Sequence, residues 1–139
     1  MKRVLTAFTA LLLFAVPGFS QTAHKHHIVI EMSLAGVDAW KHVAGHINVL
    51  RNAFANDVDI EVVALGEGLA MLQKTNTELE ASLRKAVESG VVLSACQNSM
   101  KLRKVKSEDL FPFAKEVPSG LAEVVIKQEA GYSYLKASI

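Results

Sequence analysis

The sequence predicts an α/β domain, three layers deep, with a mostly parallel sheet covered by helices on both faces. Three features predict it. Short runs rich in valine and isoleucine recur along the chain, and runs of that kind form strands buried on both sides. Stretches of roughly 10–15 residues with helical periodicity separate them, the pattern of βαβ units. Gly, Asn, Asp and Pro punctuate the joins.

Residues 27–32 are the first strand, apolar and β-branched, and residues 33–36 turn the chain. Asp38 sits in the first turn of a long helix reaching residue 55. There Trp40, Val43, Ile47, Leu50 and Phe54 recur every three or four residues and make one helical face. Asn56 and Asp57 break that helix, and residues 58–65 are the second strand. Gly66-Glu67-Gly68 follows, then a short helix over 69–73. A further helix begins near Thr75, carries Leu79, Leu83, Ala86 and Val87 as its inner stripe, and stops at Gly90. Residues 91–95 are the third strand, with Cys96 at its carboxyl end. Residues 97–104 read as helix and 107–110 as a turn or short helix. A short fourth strand lies near Val117. The last helix spans 119–130, and residues 132–135 are the final strand. Repeats and low-complexity segments are absent.

The 139 residues allow one domain behind a leader. Lys2 and Arg3 precede an apolar run over 4–16, followed by Pro17-Gly18-Phe19-Ser20. That order is a signal peptide over residues 1–20, with Gly18 and Ser20 at the −3 and −1 positions of a cleavage site. A permanent membrane helix needs about 20 apolar residues, so the mature chain 21–139 is expected to be soluble, and periplasmic in a Gram-negative host. Loss of Lys2 and Arg3 turns a net charge of +1 into −1. Such a balance gives neither nucleic acid nor an anionic membrane a reason to bind. Cys96 is the one cysteine. With no partner in its own chain it is a small core hydrophobe, a link to another molecule, or a working thiol.

Ligands of open parallel sheets bind beyond the carboxyl ends of the strands. Ser33 follows the first strand, Gly66-Glu67-Gly68 the second, Cys96-Gln97-Asn98-Ser99 the third, and Pro118-Ser119-Gly120 the short fourth. Cys96 also precedes a helix, where unpaired amides and the helix dipole favour a thiolate. The sulfur is therefore expected exposed at the rim of the sheet, as an anion. Lys101, Arg103 and Lys104 would add a small screened contribution, and Glu67 would oppose it. His42 and His46, four residues apart on one helix face, are the weak metal candidates, because a third ligand is missing. His24, His26 and His27 form a loose cluster of the same low specificity. Gly66-Glu67-Gly68 lacks the spacing of a nucleotide fingerprint. No cofactor is expected.

Residues 58–69 (VDIEVVALGEGL), 91–100 (VVLSACQNSM), 108–110 (EDL), 117–125 (VPSGLAEVV) and 128–134 (QEAGYSY) together resemble the DsrE/DsrF-like family of small sulfur-relay proteins, in its exported branch. The resemblance spans residues 26–136. It implies a five-stranded parallel sheet between helix layers and homo-oligomers, commonly trimers or hexamers. It also implies a persulfide on the cysteine that Cys96 matches, passed between a sulfur donor protein and an acceptor. One departure is Leu65, where the family often has histidine, which removes a proton donor near the sulfur. The expectation is a sulfur carrier acting through Cys96. The rival is a non-catalytic oligomeric module binding a small ligand or a protein, suggested by Val49 and Ala53 on the second face of the long helix.

Overall fold

Five strands make one sheet in the order β4-β3-β2-β1-β5, and every neighbouring pair is parallel. The computed structural model describes residues 25–55 and 57–138; the segment read as a signal peptide, together with His24 and Asn56, lies outside them. The elements are β1 (His26–Met32), α1 (Val37–Ala53), β2 (Val58–Ala64), a 3-10 helix (Gly66–Leu72), α2 (Thr77–Glu88), β3 (Val92–Cys96), α3 (Gln97–Arg103), a 3-10 turn (Ser107–Asp109), β4 (Lys115–Val117), α4 (Gly120–Glu129) and β5 (Ser133–Lys136). The order is the expected one. The helix after β2 begins earlier than its apolar residues suggest. The Gly68 amide bonds to the Leu65 carbonyl at 3.0 Å and closes the first turn directly behind the strand.

Alternation along the strands splits the core into two unequal parts. Ile28, Ile30, Ile60, Val62, Leu93 and Ala95 face one side, where Trp40, Val43 and Ile47 of α1, Leu79 and Leu83 of α2 and Met100 of α3 pack on them. The Trp40 indole N–H is satisfied by the Leu34 carbonyl at 2.9 Å. On the other side Val29 and Val63 meet a single residue of α4, Val124, with Leu65 and Tyr132 at the margin. Among the described residues the sheet is thus covered on both faces, by three helices on one and by α4 alone on the other.

Crossover handedness explains the asymmetry. The connections β1→β2, β2→β3 and β3→β4 step across the sheet in one direction, so right-handed crossovers place their helices on one face. The connection β4→β5 runs back the whole width of the sheet, and the same rule sends α4 to the opposite face. That thinly covered face is also the polar one. Glu61, inside the apolar strand β2, is only 3% exposed. A buried carboxylate is costly unless it is paired and hydrogen-bonded. The Ser94 hydroxyl donates to its Oε1 at 2.6 Å, and Lys127 Nζ of α4 reaches its Oε2 at 2.6 Å. The bond to Glu61 holds the Lys127 ammonium above its ordinary 10.5, against the opposing effect of burial. Lys127 therefore stays charged at neutral pH.

Two glycines give opposite predictions. A Cβ at Gly68 would stand 2.1 Å from the Met32 carbonyl oxygen, a backbone atom that cannot swing aside. Gly68→Ala is expected to destabilise the fold by about 1–3 kcal/mol. Gly45 lies in the middle of α1, where an added methyl would find nothing within 4 Å, and Gly45→Ala should stabilise by about 0.5–1 kcal/mol. Urea denaturation of the two variants measures both signs.

Candidate functional site

Cys96 ends β3 and immediately precedes α3. Its side chain lies on the same face as Ser94, the face under α4. The register sets it beside Val117, the last residue of β4. The chain leaving β3 enters α3 on one face, whereas the chain leaving β4 enters α4 on the other. Neighbouring strands whose continuations part in this way define the switch point of an open α/β sheet, where ligands bind. Cys96 occupies it.

Several hydrogen-bond donors converge on the sulfur. The Gly120 amide, first in α4, donates to Sγ at 3.1 Å. The Ser99 hydroxyl and the backbone amides of Ser99 and Asn98 add to it. Ser99 Oγ accepts the Gly66 amide at 2.9 Å, which leaves the hydroxyl proton to donate to sulfur. Burial pushes the thiol up, but the Ser99 hydroxyl first, then the Gly120, Ser99 and Asn98 amides, pull it down. The donors win, and the thiol lies below its ordinary 9.0.

The expectation of an exposed sulfur is corrected. Cys96 is only 4% exposed, because α4 starts directly over it. Gly120 is what permits that approach. A Cβ there would stand 3.1 Å from Cys96 Cβ, 3.1 Å from Leu65 Cβ and 3.2 Å from Val63 Cγ1, so a larger residue would lift the helix start off the sulfur. Of the charges expected near the thiol, two are engaged with each other. Arg103 is ion-paired with Glu67, so the cation and anion expected to act oppositely on the thiol neutralise each other.

The other expected residues divide. Asn98 and Gly120 contribute amides to the sulfur. Ser119 caps α4, its Oγ accepting the Ala122 amide at 3.4 Å. Gly66 reaches the site through Ser99. Gly68 is packed under the end of β1, and Ser33 lies beyond β1, with β2 between it and β3. Gln97 turns its amide to Glu116 at 2.9 Å. The Ser107 hydroxyl, then that amide, hold the Glu116 carboxyl below its ordinary 4.5. His42 and His46 have ring centroids 6.5 Å apart on α1. Elsewhere His26 stacks on Phe54 at 3.8 Å. Among the described residues no group of three His, Cys, Asp or Glu side chains is placed to hold a metal, and no helix is long and apolar enough to cross a membrane.

Sequence reasoning placed Ser99 at the strand end but gave its side chain no role. Its signal was the spacing: three residues beyond the residue before a helix, a hydroxyl folds back toward the helix start. It also missed Glu61 with Lys127, signalled by a glutamate flanked by Ile60 and Val62 in the middle of a strand.

Fold and site together define a small parallel α/β protein with a hydrogen-bonded thiol at the switch point. The model of the DsrE/DsrF-like family matches residues 46–137, and the chain belongs to that family, one associated with sulfur relay. Among solved structures it is similar to MTH1491, a protein of unknown function from Methanobacterium thermoautotrophicum. The identity is 26%, over 80% of this chain and 98% of that one, with a TM-score of 0.70. The ychN protein from E. coli shares the fold at 14% identity, 80% and 98% coverage and a TM-score of 0.65. No curated protein matches the chain at a significant level.

Thiolate absorbance followed against pH should titrate below the ordinary thiol value of 9.0. Ser99→Ala removes the hydroxyl that lowers the thiol and should move the midpoint upward. The depressed value favours the folded thiolate, so the stability Cys96 gains from ionisation falls as pH drops through that midpoint. An unmoved midpoint in Ser99→Ala would show that the hydroxyl does not serve the sulfur.

Proposed function

We propose that the protein is an exported carrier of sulfane sulfur that works through Cys96. The observation that carries this reading is the Gly120 amide, 3.1 Å from Sγ and joined by the Ser99 and Asn98 donors. Fixed donors favour sulfur as an anion, and the thiolate is the nucleophilic form. With thiosulfate as donor, the Cys96 thiolate attacks the outer sulfur and a new S–S bond forms. The bond from that sulfur to the sulfonate breaks, and sulfite leaves with the electron pair. The product is Cys96–S–S⁻. An acceptor thiolate then attacks the outer sulfur and Cys96 leaves as thiolate, so neither step consumes a proton. The apolar Leu65, in place of the histidine frequent in the family, suits chemistry of that kind.

The remaining parts of the proposal are drawn from the sequence. Residues 1–20 are a signal peptide, residues 21–139 the single mature domain, and the compartment is the periplasm. The mature chain assembles with itself as a trimer or hexamer. Support for assembly comes from large apolar side chains on outer helix faces, with Leu121 at 65%, Ile126 at 55% and Val49 at 66% exposure. A sulfur donor protein and an acceptor protein are the proposed partners, with no role for nucleic acid, membrane lipid or a cofactor.

One observation favours a second reading. Cys96 is nearly covered, as a cysteine that merely packs in a non-catalytic oligomeric binding module would be.

Intact-mass measurement on protein recovered from the export compartment separates the two. After incubation with thiosulfate or polysulfide, the main species should gain one sulfur atom, which reductant removes and Cys96→Ala abolishes. The same spectrum should show a chain beginning at Gln21. A thiol that takes up no sulfur leaves the binding module as the function.

A further inference from the structure

Three residues of α4 face the sheet, at spacings of four and three: Gly120, Val124 and Lys127. Each has its own partner on the polar face. The Gly120 amide bonds to Cys96 Sγ at 3.1 Å, Val124 packs with Val29 and Val63, and Lys127 is bonded to the buried Glu61 at 2.6 Å. Lys127 lies two turns from Gly120 on the same side of the helix. Val124 fixes the height of α4 above the sheet, but aliphatic contact is non-directional and resists sliding weakly. The ion pair is directional, and its carboxylate is itself anchored, with Ser94 Oγ on the other oxygen at 2.6 Å. Ser94 is two residues before Cys96 on the same strand and face. The sulfur and the anchor of the helix therefore belong to one rigid piece of sheet.

We infer that Glu61 and Lys127 are positioning residues for the thiol: their buried pair sets α4 in the register that brings the Gly120 amide onto Cys96 and closes the helix start over it. The pair touches neither the sulfur nor anything bound to it. Its importance for sulfur transfer rests on the carrier reading, but the effect on the thiol does not. The charged groups on the surrounding elements are engaged with one another. Glu67 of the 3-10 helix holds Arg103 of α3, Glu116 of β4 bonds to Gln97, and Glu123 of α4 lies 3.7 Å from Lys127. Lys101, Lys104 and Lys115 are solvent-exposed.

The rate of Cys96 alkylation by iodoacetamide, measured against pH, reads two quantities at once. The midpoint reports thiol ionisation and the alkaline plateau reports access. Lys127→Met and Glu61→Gln make the discriminating pair. The glutamine still accepts from Ser94 but presents an amide N–H to Lys127, so the ion pair and its hydrogen bond are lost together. If the pair positions α4, both variants loosen the helix start, so both raise the midpoint and lift the plateau several-fold. If the pair acted by charge through space, the variants would oppose each other. An unpaired Glu61 would raise the midpoint, and an unpaired Lys127 would lower it. Midpoints moving in opposite directions, or plateaus that stay native, overturn the inference. Should Lys127→Met fail to fold, Glu61→Gln decides alone: a raised midpoint supports positioning, and a lowered or unchanged one rejects it. Alkylation needs no sulfur donor, so its outcome is independent of whether Cys96 carries a persulfide.

Discussion

The return of the chain across the sheet after β4 is the constraint on which the site depends. Three crossovers in one direction place α1, α2 and α3 on one face. A fifth strand beyond β1 then requires a long connection back, and right-handedness leaves only the opposite face for it. The helix that makes this journey starts beside the end of β3. Amides in the first turn of a helix have no partner within the helix, and the group that the Gly120 amide meets is the sulfur of Cys96. The thiolate is thus favoured by backbone geometry and one serine hydroxyl rather than by a neighbouring cation. Fixed dipoles in a covered site are little affected by salt, unlike a surface lysine.

That solution carries a cost in access. The same helix start that donates to Sγ also covers it, and the walls beside it are Leu65 and Val63. Ionisation and exposure are therefore opposed at this site: each step of α4 away from the sheet admits a reactant and removes a donor. A glycine at position 120 sets the closest approach, and the Glu61–Lys127 pair two turns along holds the helix to it. A glutamate within a valine-rich strand would otherwise be a defect of the core. Placed under α4, on the face where aliphatic contacts are few, it acts as a directional fastener.

Much of this is legible in the sequence, and the reasons differ by element. Residues 27–32 and 58–65 read as strands because both of their faces are covered, which makes them rich in valine and isoleucine despite Glu31, Asp59 and Glu61. The periodicity of Trp40, Val43 and Ile47 marks α1 because one side of it meets the core. The place of Cys96 at the strand end is legible because the apolar run stops there and polar residues follow. Its burial is not, since it depends on α4, a helix 24 residues further along, returning across the sheet. Ser99 differs from Gln97 in the sequence only by its spacing from the helix start. Only the turn of α3 decides that Ser99 faces the sulfur while Gln97 reaches β4. Glu61 and Lys127 are far apart in sequence, and no local pattern joins them.

The most direct test follows the Gly120 amide itself. In a nuclear magnetic resonance titration of the mature protein, its proton should shift with the same midpoint as the Cys96 thiolate, and the shift should vanish in Cys96→Ala. A hydrogen bond to an ionising sulfur requires that coupling. If the Gly120 resonance stays flat while the thiol ionises, the helix start does not hold the sulfur, and the stabilised thiolate on which the site is built does not exist.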